Sequence, residues 1–353
     1  MKKKILFAVL NWGLGHATRS MPIIRELIKK NEVIIVSTGR SYILLSSEFP
    51  ELEIIDYPDY SIKYSKSDKY LLLSLASQLP KILLVLYKEH SFSKRMINEK
   101  KIDLIISDNR YGMYCKEIPS YFITHQLKFS MPKSLKKLEV LSVYFNKYFF
   151  KKYKKIFIPD FEGSLNFSGE LSHDIQKIDK KKLQYVGLLS DTKDTDSIFS
   201  DYLVLISGPE PQRTNFENLV REQILDIQGK KIVVLGKTEI DENESENDLD
   251  IHSHLSREEI SKMINGAGLI ISRPGYSTVM EVAAAGKKAL FIPTPGQTEQ
   301  VYLAEYYKGK GLFHYVPQNE MDLKNDIPKA LEYTEIKKQK VNDIETILKE
   351  LNL

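Results

Sequence analysis

The segment NWGLGHAT, residues 11–18, combines two glycines with a histidine directly after the apolar run of residues 5–10. An apolar run followed by a glycine-containing turn predicts a buried β-strand that leads into a helix. Gly13 and Gly15 allow a ligand to approach the backbone, and the imidazole of His16 titrates near neutral pH. The segment therefore has the residue types for phosphate contact and for general-base catalysis.

A dinucleotide-binding turn is one alternative for this segment. The NAD fingerprint has three glycines, and Thr18 stands here at the position of the third. It also has an acidic residue at the end of the second strand, whereas the predicted strand of residues 33–38 is followed by Gly39 and Arg40. Both differences disfavour NAD.

A second segment with binding chemistry covers residues 272–300, SRPGYSTVMEVAAAGKKALFIPTPGQTEQ. It predicts a helix that begins with Ser277 or Thr278 as the N-cap and ends at Gly286. The first backbone N–H groups of a helix and the positive end of its dipole bind anions such as a diphosphate. Gly275 allows a phosphate to approach the backbone closely.

Polar side chains follow within the same segment. Glu281 lies one turn inside the predicted helix, where its carboxylate can accept hydrogen bonds from a ribose diol. Glu299 and Gln300 provide acceptors and donors after the next predicted strand. Open α/β sheets bind ligands at the carboxyl ends of their strands. The order of these features along one segment favours a binding site over separate structural roles.

Two polar residues in the first half of the chain also end predicted strands. Asp108 ends the run of residues 103–108, and His125 ends the run of residues 121–125. Both are expected at the same sheet edge as His16. His125 is interpreted as an acceptor contact or as a structural hydrogen-bonding residue. Asp108 is interpreted as an acceptor contact, as the partner that orients His16, or as a helix cap.

The elements that position these residues are short apolar runs separated by stretches long enough for helices. Runs that are apolar on both faces are typical of parallel strands covered by helices, so the predicted fold class is α/β. The runs cover residues 5–10, 33–38, 103–108, 121–125, 155–160, 202–208, 231–236, 269–274 and 289–294.

The alternation of strands and helices occurs twice. Residues 164–200 between the two halves are polar, and the hinge is placed near residues 187–201. We predict two Rossmann-like domains, residues 1–187 and 188–330, and a final helix over residues 331–353 that packs back on the first domain.

The composition limits the class of protein. The chain has 353 residues, of which 42% are hydrophobic and 28% charged, as expected for a globular protein of more than one domain. The formal net charge of +4 does not favour nucleic acid as a partner. The single cysteine, Cys115, excludes an intramolecular disulfide and a cysteine-rich zinc site and fits a reducing compartment.

Two apolar segments raise the question of membrane targeting. The N-terminal sequence MKKKILFAVLNWG lacks a small-residue cleavage site and is interpreted as an opening β-strand rather than a signal peptide. Residues 70–87 are barely long enough to cross a bilayer and are interpreted as a helix pair broken near Pro80. We expect a cytoplasmic protein, with peripheral contact to the inner face of the membrane as an option.

That option depends on residues 128–157, which carry nine lysines and one acidic residue, Glu139. A basic amphipathic segment of this kind suits an anionic membrane surface. The alternative is a core-facing apolar stripe with a solvated lysine face. The apolar residues that interleave with the lysines at helical spacing are Leu138, Leu141, Phe145, Tyr148 and Phe149.

Residues 272–300 resemble the donor-binding signature of the GT-B glycosyltransferases. The similarity is to glycosyltransferase family 28, with the peptidoglycan-precursor N-acetylglucosaminyltransferases, and to the glucuronosyltransferase branch. The matching positions are Ser272, Arg273, Gly275, Thr278, Glu281 and Gly286, followed by Pro293 or Pro295 and by Glu299 and Gln300. Ala304 differs from the asparagine that the family usually has there.

The resemblance implies roles for these residues, with Arg273 counted in the donor-binding set. The implied diphosphate contacts are Gly275, Ser277 and Thr278, the implied ribose contact is Glu281, and the implied contacts to the donor sugar are Glu299 and Gln300.

Two further segments match the family in position. Residues 206–217 correspond to a glycine-rich loop that approaches the phosphates. Gly208 is retained, whereas prolines replace other glycines of that loop. Arg213 is interpreted as a charge partner of the diphosphate or as a solvated residue at a helix start.

Residues 252–260 correspond to the segment that contacts the nucleotide base, which points to Leu255. His252 and His254 have a spacing that metal ligands can have, but they are interpreted as a surface pair because no carboxylate or cysteine pattern accompanies them.

By resemblance, the fold is GT-B, with two Rossmann-like domains facing each other across a cleft. The implied function is transfer of a hexose or N-acetylhexosamine from a nucleotide sugar, a UDP-sugar above all, to an acceptor hydroxyl with inversion. His16 would be the general base and Gly15 would lie beside the donor. The implied acceptor is a lipid-linked or cell-envelope glycan, and neither a metal nor another cofactor is required.

Three alternatives remain from the sequence. The first is a UDP-N-acetylhexosamine 2-epimerase, which shares the fold and acts without an acceptor. The second is a catalytically inactive nucleotide-sugar-binding protein. The third concerns only His16, which would then contact substrate or cap its helix without acting as a base.

Overall fold

The computed structural model describes residues 2–60, 71–192, 196–237, 243–339 and 341–353. The chain forms two compact units, one of Met1–Leu189 with Asn342–Leu353 and one of Ser190–Val341. Two sequence interpretations fall partly outside the described residues, at Tyr70 in the segment of residues 70–87 and at residues 193–195 in the hinge.

The first unit is built on a parallel sheet. Its elements are β1 (Lys4–Val9), α1 (Gly15–Leu27), β2 (Glu32–Ser37), α2 (Gly39–Glu48), β3 (Glu53–Asp56), α3 (Leu71–Lys100), β4 (Leu104–Asp108), β5 (Ser120–Ile123), α4 (Glu139–Phe150), β6 (Lys155–Ile158) and β7 (Leu183–Tyr185). In its described residues seven strands pair in parallel in the order β3-β2-β1-β4-β5-β6-β7. This order places the carboxyl ends of β1, β4 and β5 side by side.

Both faces of this sheet are covered. Ile5, Phe7 and Val9 of β1 belong to one buried apolar cluster, and Leu6 and Ala8 belong to another. Burial of alternate residues on opposite faces explains why the central strands read as continuous apolar runs.

The second unit contains a sheet of its own. Its elements are β8 (Ser200–Leu205), α5 (Gln212–Ile224), β9 (Lys231–Val234), β10 (Asn243–Glu246), β11 (Leu249–His252), α6 (Arg257–Gly266), β12 (Ala267–Ser272), α7 (Tyr276–Ala285), β13 (Lys288–Phe291), α8 (Thr298–Gly309), β14 (His314–Tyr315) and α9 (Leu323–Leu331). Over the described part of the unit, the order is β10-β11-β9-β8-β12-β13-β14, and β10 is antiparallel to β11.

The prediction of an α/β fold is confirmed, and each predicted apolar run overlaps a strand. The strands that the sequence did not reveal are β3, β7, β10, β11 and β14. All of them lie at a sheet edge or next to one and have two to four residues. Strands of this kind bury few side chains, so no long apolar run marks them.

The predicted break at Pro80 is wrong, because α3 continues through it as one helix of 30 residues. An internal proline removes one backbone hydrogen bond and bends a helix, but neighbouring contacts can maintain it. Leu86, Phe92 and Met96 anchor the part of α3 that follows Pro80, since all three are buried. Within the described residues, no helix has both the length and the apolar character needed to cross a membrane.

The last helix, α10 (Ile344–Leu351), belongs to the first unit. Ile347 and Leu351 are buried in the same apolar cluster as residues of β1 and α1. The helix is shorter than the predicted one over residues 331–353. Upstream, the backbone of Ile336 and Lys338 instead packs closely against Gly286 at the end of α7.

The basic segment of residues 128–157 forms a short 3-10 turn (Lys133–Leu138), α4 and the start of β6. Phe145 and Phe149 pack against a buried apolar cluster, whereas Leu141 and Tyr148 are exposed. The predicted apolar stripe is therefore divided between the core-facing side of the helix and its solvent-facing side.

Candidate active site

His16 lies in the first turn of α1, next to the last residue of β4. The pairing of β1 with β4 places Val9 opposite Asp108, so the turn after β1 lies beside the Asp108 side chain. The Nδ1 atom of His16 and the Oδ1 atom of Asp108 are 2.7 Å apart. His16 is 9% exposed and Asp108 is 0% exposed. This geometry is the one expected of a carboxylate that orients an imidazole.

Arg19 completes this contact from the next turn of α1. Its Nε atom donates to Asp108 Oδ2 at 2.7 Å, and its Nη2 atom donates to Oδ1. Ser20 Oγ donates to Oδ2 at 3.1 Å. Burial alone favours a protonated carboxyl, but the Arg19 guanidinium and His16 hold the pKa of Asp108 well below its usual range. Asp108 is therefore a carboxylate in this cluster.

The structure does not support Asp108 as an acceptor contact. Its side chain is fully buried, and both of its oxygen atoms accept hydrogen bonds from within the protein.

His125 joins the cluster from the end of β5. Arg19 Nη1 donates to His125 Nδ1 at 2.8 Å. The histidine is buried, and its Nε2 atom lies 3.5 Å from Gln126 Nε2. Three predicted site residues of the first unit, His16, Asp108 and His125, are thus brought together by a residue that the sequence analysis did not single out.

The turn before His16 has the backbone conformation that its glycines suggest. Gly13 has a φ of +73°, which favours glycine, and its carbonyl accepts a hydrogen bond from Ser41 Oγ at 3.3 Å. Gly15 is the first residue of α1 and is half-buried.

In the second unit, the N-cap of α7 lies two or three residues before the predicted one. Gly275 is the N-cap, so Ser277 and Thr278 are the second and third residues of the helix and not its caps. Glycine has no side chain to cap the first backbone N–H groups, and nothing lies within 4 Å of the position that a Cβ on Gly275 would take. The helix start keeps the character of an anion site. Gly286 ends the helix with a φ of +70°, as predicted.

Glu281 of α7 has a partner that the sequence did not indicate. Its Oε1 atom accepts from Arg257 Nη2, and the carboxylate is largely buried. Arg257 is the first residue of α6, directly after Ser256, whose side chain forms a capping box with Glu259. The predicted ribose contact is therefore already held by an ion pair.

Leu255 lines a cavity of about 480 Å³. The other lining residues are Asn243, His252, His254, Ser256 and Glu259. His252 Nδ1 lies 3.0 Å from the side-chain oxygen of Asn243. Within the described residues, no group of three or more histidine, cysteine or carboxylate side chains comes together as a metal site.

Arg273 is buried inside the second unit. Its guanidinium donates to the carbonyls of Ile292, Pro293 and Gln212 and to Gln318 Oε1, and it lies 4.3 Å from the Phe216 ring. Burial lowers its pKa to about 9, and its Nε atom has no hydrogen-bond partner among the described residues.

Every hydrogen bond that Arg273 donates goes to an uncharged oxygen atom. The place of Arg273 in the donor-binding set stays a prediction, and in the structure its side chain connects the loop after β13 with the start of α5. It places a positive charge two residues before Gly275.

Arg213 is in a different electrostatic environment from Arg273. Its Nε atom donates to Glu210 at 2.6 Å and its Nη1 atom donates to Glu217 at 2.9 Å. Two carboxylates thus offset the charge that was expected to face a diphosphate. Gly208, in the loop before α5, has a φ of +118°, and a Cβ there would lie 3.8 Å from Thr294 Oγ1.

The start of α8 holds the remaining predicted residues. Gln300 Oε1 accepts from the backbone N–H of Thr294 at 2.8 Å, which holds the loop after β13 against the helix. Glu299 is the second residue of α8 and is half-buried.

Two protein-family models match this chain, one in each half. Residues 209–349 match the model of the glycosyltransferase family 28 C-terminal domain, and residues 3–121 match the model of glycosyl transferase family 1. The predicted resemblance to glycosyltransferases is confirmed.

Several solved structures with a fold similar to that of this chain are glycosyltransferases. The glycotransferase of kitacinnamycin has a TM-score of 0.65 at 13% identity and covers 99% of this chain and 95% of its own. The spinosyn rhamnosyltransferase SpnG, complexed with thymidine diphosphate, has a TM-score of 0.62 at 11% identity over 100% of both chains. MurG of Acinetobacter baumannii has a TM-score of 0.54 at 16% identity, over 94% of this chain and 89% of its own. The fold is GT-B.

A curated relative extends the comparison for this GT-B chain. It is UDP-N-acetylglucosamine--N-acetylmuramyl-(pentapeptide) pyrophosphoryl-undecaprenol N-acetylglucosamine transferase of Sulfurihydrogenibium sp. (strain YO3AOP1), 27% identical over 134 residues. The match spans 37% of this chain and 37% of that relative.

Proposed function

We propose that this protein is a glycosyltransferase that moves a hexose or N-acetylhexosamine from a nucleotide sugar to an acceptor hydroxyl. The observation that carries the proposal is the contact between His16 Nδ1 and the buried Asp108 carboxylate. A carboxylate at Nδ1 leaves Nε2 as the nitrogen that takes a proton, which is the arrangement a general base needs.

In the proposed reaction, His16 Nε2 takes the proton of the acceptor hydroxyl as its oxygen attacks the anomeric carbon. The bond between that carbon and the diphosphate breaks, and the nucleotide diphosphate leaves with the bonding electrons. A single displacement of this kind inverts the anomeric configuration. The first turn of α7 and the buried charge of Arg273 offset the negative charge that develops on the leaving group.

UDP is the proposed nucleotide of the donor. The curated relative is named for a UDP-N-acetylglucosamine donor, and the solved neighbour SpnG is complexed with thymidine diphosphate. Calorimetric titration with UDP, dTDP and GDP separates these possibilities. Tightest binding of UDP supports the proposal, and tightest binding of dTDP replaces the donor while leaving the reaction class intact.

The acceptor role of the first unit is tested through His16. We expect His16→Gln to lower the transfer rate by a factor on the order of 10²–10⁴, while UDP binding stays unchanged, because the base acts only in the chemical step. Release of UDP from a UDP-sugar, with lipid-linked and envelope-type glycan acceptors supplied, measures the rate.

His173→Gln is the matched control, since His173 also pairs with a buried carboxylate, Asp160, at 3.1 Å. Equal losses in both variants would contradict a specific role for His16. A product with inverted configuration at C2, formed from the donor without any acceptor, would indicate the epimerase. Donor binding without turnover for the acceptors supplied would favour the non-catalytic alternative.

A membrane surface is the proposed location of the acceptor. Leu141, Tyr144 and Tyr148 of α4 are 61%, 51% and 59% exposed, and their spacing places them on one side of the helix. On α3, Leu83 and Tyr87 are exposed one turn apart. Other residues of both helices pack in one apolar cluster, so these exposed side chains flank a shared core. Lysines of the same segment suit anionic headgroups.

Vesicle sedimentation tests this contact. Leu141→Ser with Tyr148→Ser is expected to lower binding to phosphatidylglycerol-containing vesicles, because it removes apolar surface that would enter the interface. Leu225→Ser, at a residue of the second unit that is 69% exposed, is the control. Equal binding by all variants, or no preference for anionic lipid, would exclude this surface.

A further inference from the structure

We propose that Glu210 sets the affinity of the second unit for a nucleotide diphosphate by competing with it for Arg213. In the structure the Glu210 carboxylate occupies donors at the start of α5 that an anionic ligand can use. A diphosphate that binds there displaces Glu210 and takes its place beside Arg213. The inference rests on the proposed function, because it needs a donor that carries a diphosphate.

The Glu210 side chain makes the contacts of an anion bound at a helix start. Its Oε1 atom accepts from Arg213 Nε at 2.6 Å. Its Oε2 atom accepts from Thr214 Oγ1 at 2.8 Å and from the Thr214 backbone N–H at 3.3 Å. Pro211, the N-cap of α5, has no side-chain atom that accepts a hydrogen bond. A guanidinium, a hydroxyl and a backbone N–H at a helix start are also the donors that bind phosphate oxygen atoms.

The two carboxylates that pair with Arg213 differ in how firmly they are held. Glu217 is buried and accepts, at 2.9 to 3.2 Å, from the three cations Arg213, Arg221 and Lys237. The Glu210 side chain is 52% exposed. Ion pairs with an exposed partner are weak, because water can solvate the separated charge. Glu210 can therefore leave into solvent, while Glu217 keeps the Arg213 side chain in place.

Glu210 is charged when it occupies this position. Its contact with the protein removes some water and raises the pKa of the carboxyl, but hydrogen bonds from Thr214 and Arg213 hold that pKa below its usual range. The negative charge therefore has two effects on an approaching phosphate. It withholds the donors at the start of α5, and it repels the like charge of the ligand.

The start of α5 lies at the same sheet edge as the start of α7, where the diphosphate is proposed to bind. Leu205 and Ser272, the last residues of β8 and β12, pair side by side. Arg273 bridges the two loops that follow, since its Nη2 atom donates to the carbonyl of Gln212 at 3.1 Å. The donors that Glu210 holds therefore belong to the same edge as the first turn of α7.

Two buried polar atoms at this edge have no hydrogen-bond partner among the described residues. They are Thr294 Oγ1 and Arg273 Nε, and both side chains belong to residues that are at most 1% exposed. A Cβ on Gly208, in the same loop as Glu210, would lie 3.8 Å from the Thr294 hydroxyl. Buried polar groups are normally paired. This unused hydrogen-bonding capacity points to a ligand at the loop independently of the Glu210 contacts.

Calorimetric titration of Glu210→Gln with UDP, dTDP, GDP and inorganic pyrophosphate is the first test. The amide keeps the size of the side chain and removes its charge. We expect the diphosphate that the parent protein binds to bind about 3- to 10-fold more tightly, because a weak ion pair and a repelling charge are lost. Glu222→Gln is the matched control, as it removes the same charge from an exposed residue near the end of α5. Thermal unfolding checks that both variants are folded.

A double-mutant cycle with Arg213→Gln tests the competition itself. Without the guanidinium, Glu210 has no charged donor to withhold from the ligand. The gain in affinity from Glu210→Gln is therefore expected to shrink to less than about twofold in the Arg213→Gln background. An equal gain in both backgrounds would mean that Glu210 acts through repulsion alone, and it would overturn the competition.

The remaining outcomes separate this proposal from the proposed function. Equal UDP affinity of the parent protein and Glu210→Gln would overturn the role of Glu210 and leave the donor site in place. An equal gain in Glu222→Gln would attribute the effect to net charge and would overturn that role as well. If none of the four ligands bound, even to Glu210→Gln, both proposals would fail, since a site freed of Glu210 would still not take a diphosphate.

Discussion

Asp108 accepts hydrogen bonds from three side chains while fully buried, so its charge is expected to contribute to stability as well as to the site. Arg19 has no other carboxylate in this cluster as described. Removing one partner of a buried ion pair is costly because the remaining charge stays in the interior.

We expect Asp108→Asn to reduce the free energy of unfolding by about 3–5 kcal/mol at neutral pH. The pKa of Asp108 is lower in the folded state than in the unfolded chain, so its stabilisation is complete above the unfolded value of about 4 and decreases as the pH falls below it. Urea unfolding between pH 3 and pH 7 measures the difference between the variant and the parent protein.

Asp103→Asn is the control, at an exposed residue just before the other end of β4. A loss in Asp108→Asn that stayed the same at every pH would contradict an ionised Asp108 and indicate a packing effect.

The residues of the site differ in how far the sequence reveals them. His16, Asp108 and His125 each follow a strand or end one, and parallel pairing brings such positions together. Arg19 bonds to Asp108 and His125, which lie 89 and 106 positions further along the chain, and no local pattern indicates those contacts. Arg257 was missed for the same reason, since its partner Glu281 lies 24 positions away in another helix.

Among the elements, α7 has the clearest dependence on a single residue at its end. Gly286 adopts a φ of +70°, and a Cβ there would lie 2.9 Å from the carbonyl oxygen of Ile336. Gly311 has a similar φ of +67°, but nothing lies within 4 Å of its Cβ position. Substitution of the two glycines therefore distinguishes backbone strain, which affects both positions, from close packing, which affects Gly286 alone.

We expect Gly286→Ala and Gly311→Ala each to lose about 1–2 kcal/mol of stability from the left-handed conformation. Gly286→Ala should lose more, because the backbone of residues 336–338 must also move. Denaturant midpoints of the two variants measure the difference. Equal losses of stability in the two variants would mean that the segment after α9 moves away from the new methyl group without a loss of stability.

The elements that the sequence predicts correctly are those that bury both faces. Central strands such as β1 and β12 show continuous apolar runs, whereas β14 has two residues and is located only by its pairing with β13. The continuation of α3 through Pro80 could not be predicted either. The low helix propensity of proline disfavours it, and the burial of Leu86 and Phe92 maintains it.

At the scale of the whole molecule, the chain leaves the first unit at Leu189 and returns to it at Asn342. The returning α10 places Ile347 and Leu351 in the core of that unit. Lys3 Nζ donates to the carbonyls of Leu351 and Asn352 at 3.3 and 3.1 Å, which adds a polar contact.

We expect Ile347→Ala and Leu351→Ala each to cost about 2–5 kcal/mol, as for other large-to-small changes in a core. The loss should be confined to the first unit, so hydrogen exchange should accelerate in β1 and α1 and remain unchanged in the second unit. Leu331→Ala, at a residue of α9 that is 40% exposed, is the control. Faster exchange throughout both units would contradict this assignment.

The return of α10 has a consequence for the order in which the protein matures during translation. The sheet of the second unit comes from one continuous segment, Ser190–Val341, and can close as soon as that segment has left the ribosome. The first unit is synthesised earlier, but its core stays open at the positions of Ile347 and Leu351 until translation has passed them. The part of the chain that is made first is therefore the part that finishes folding last.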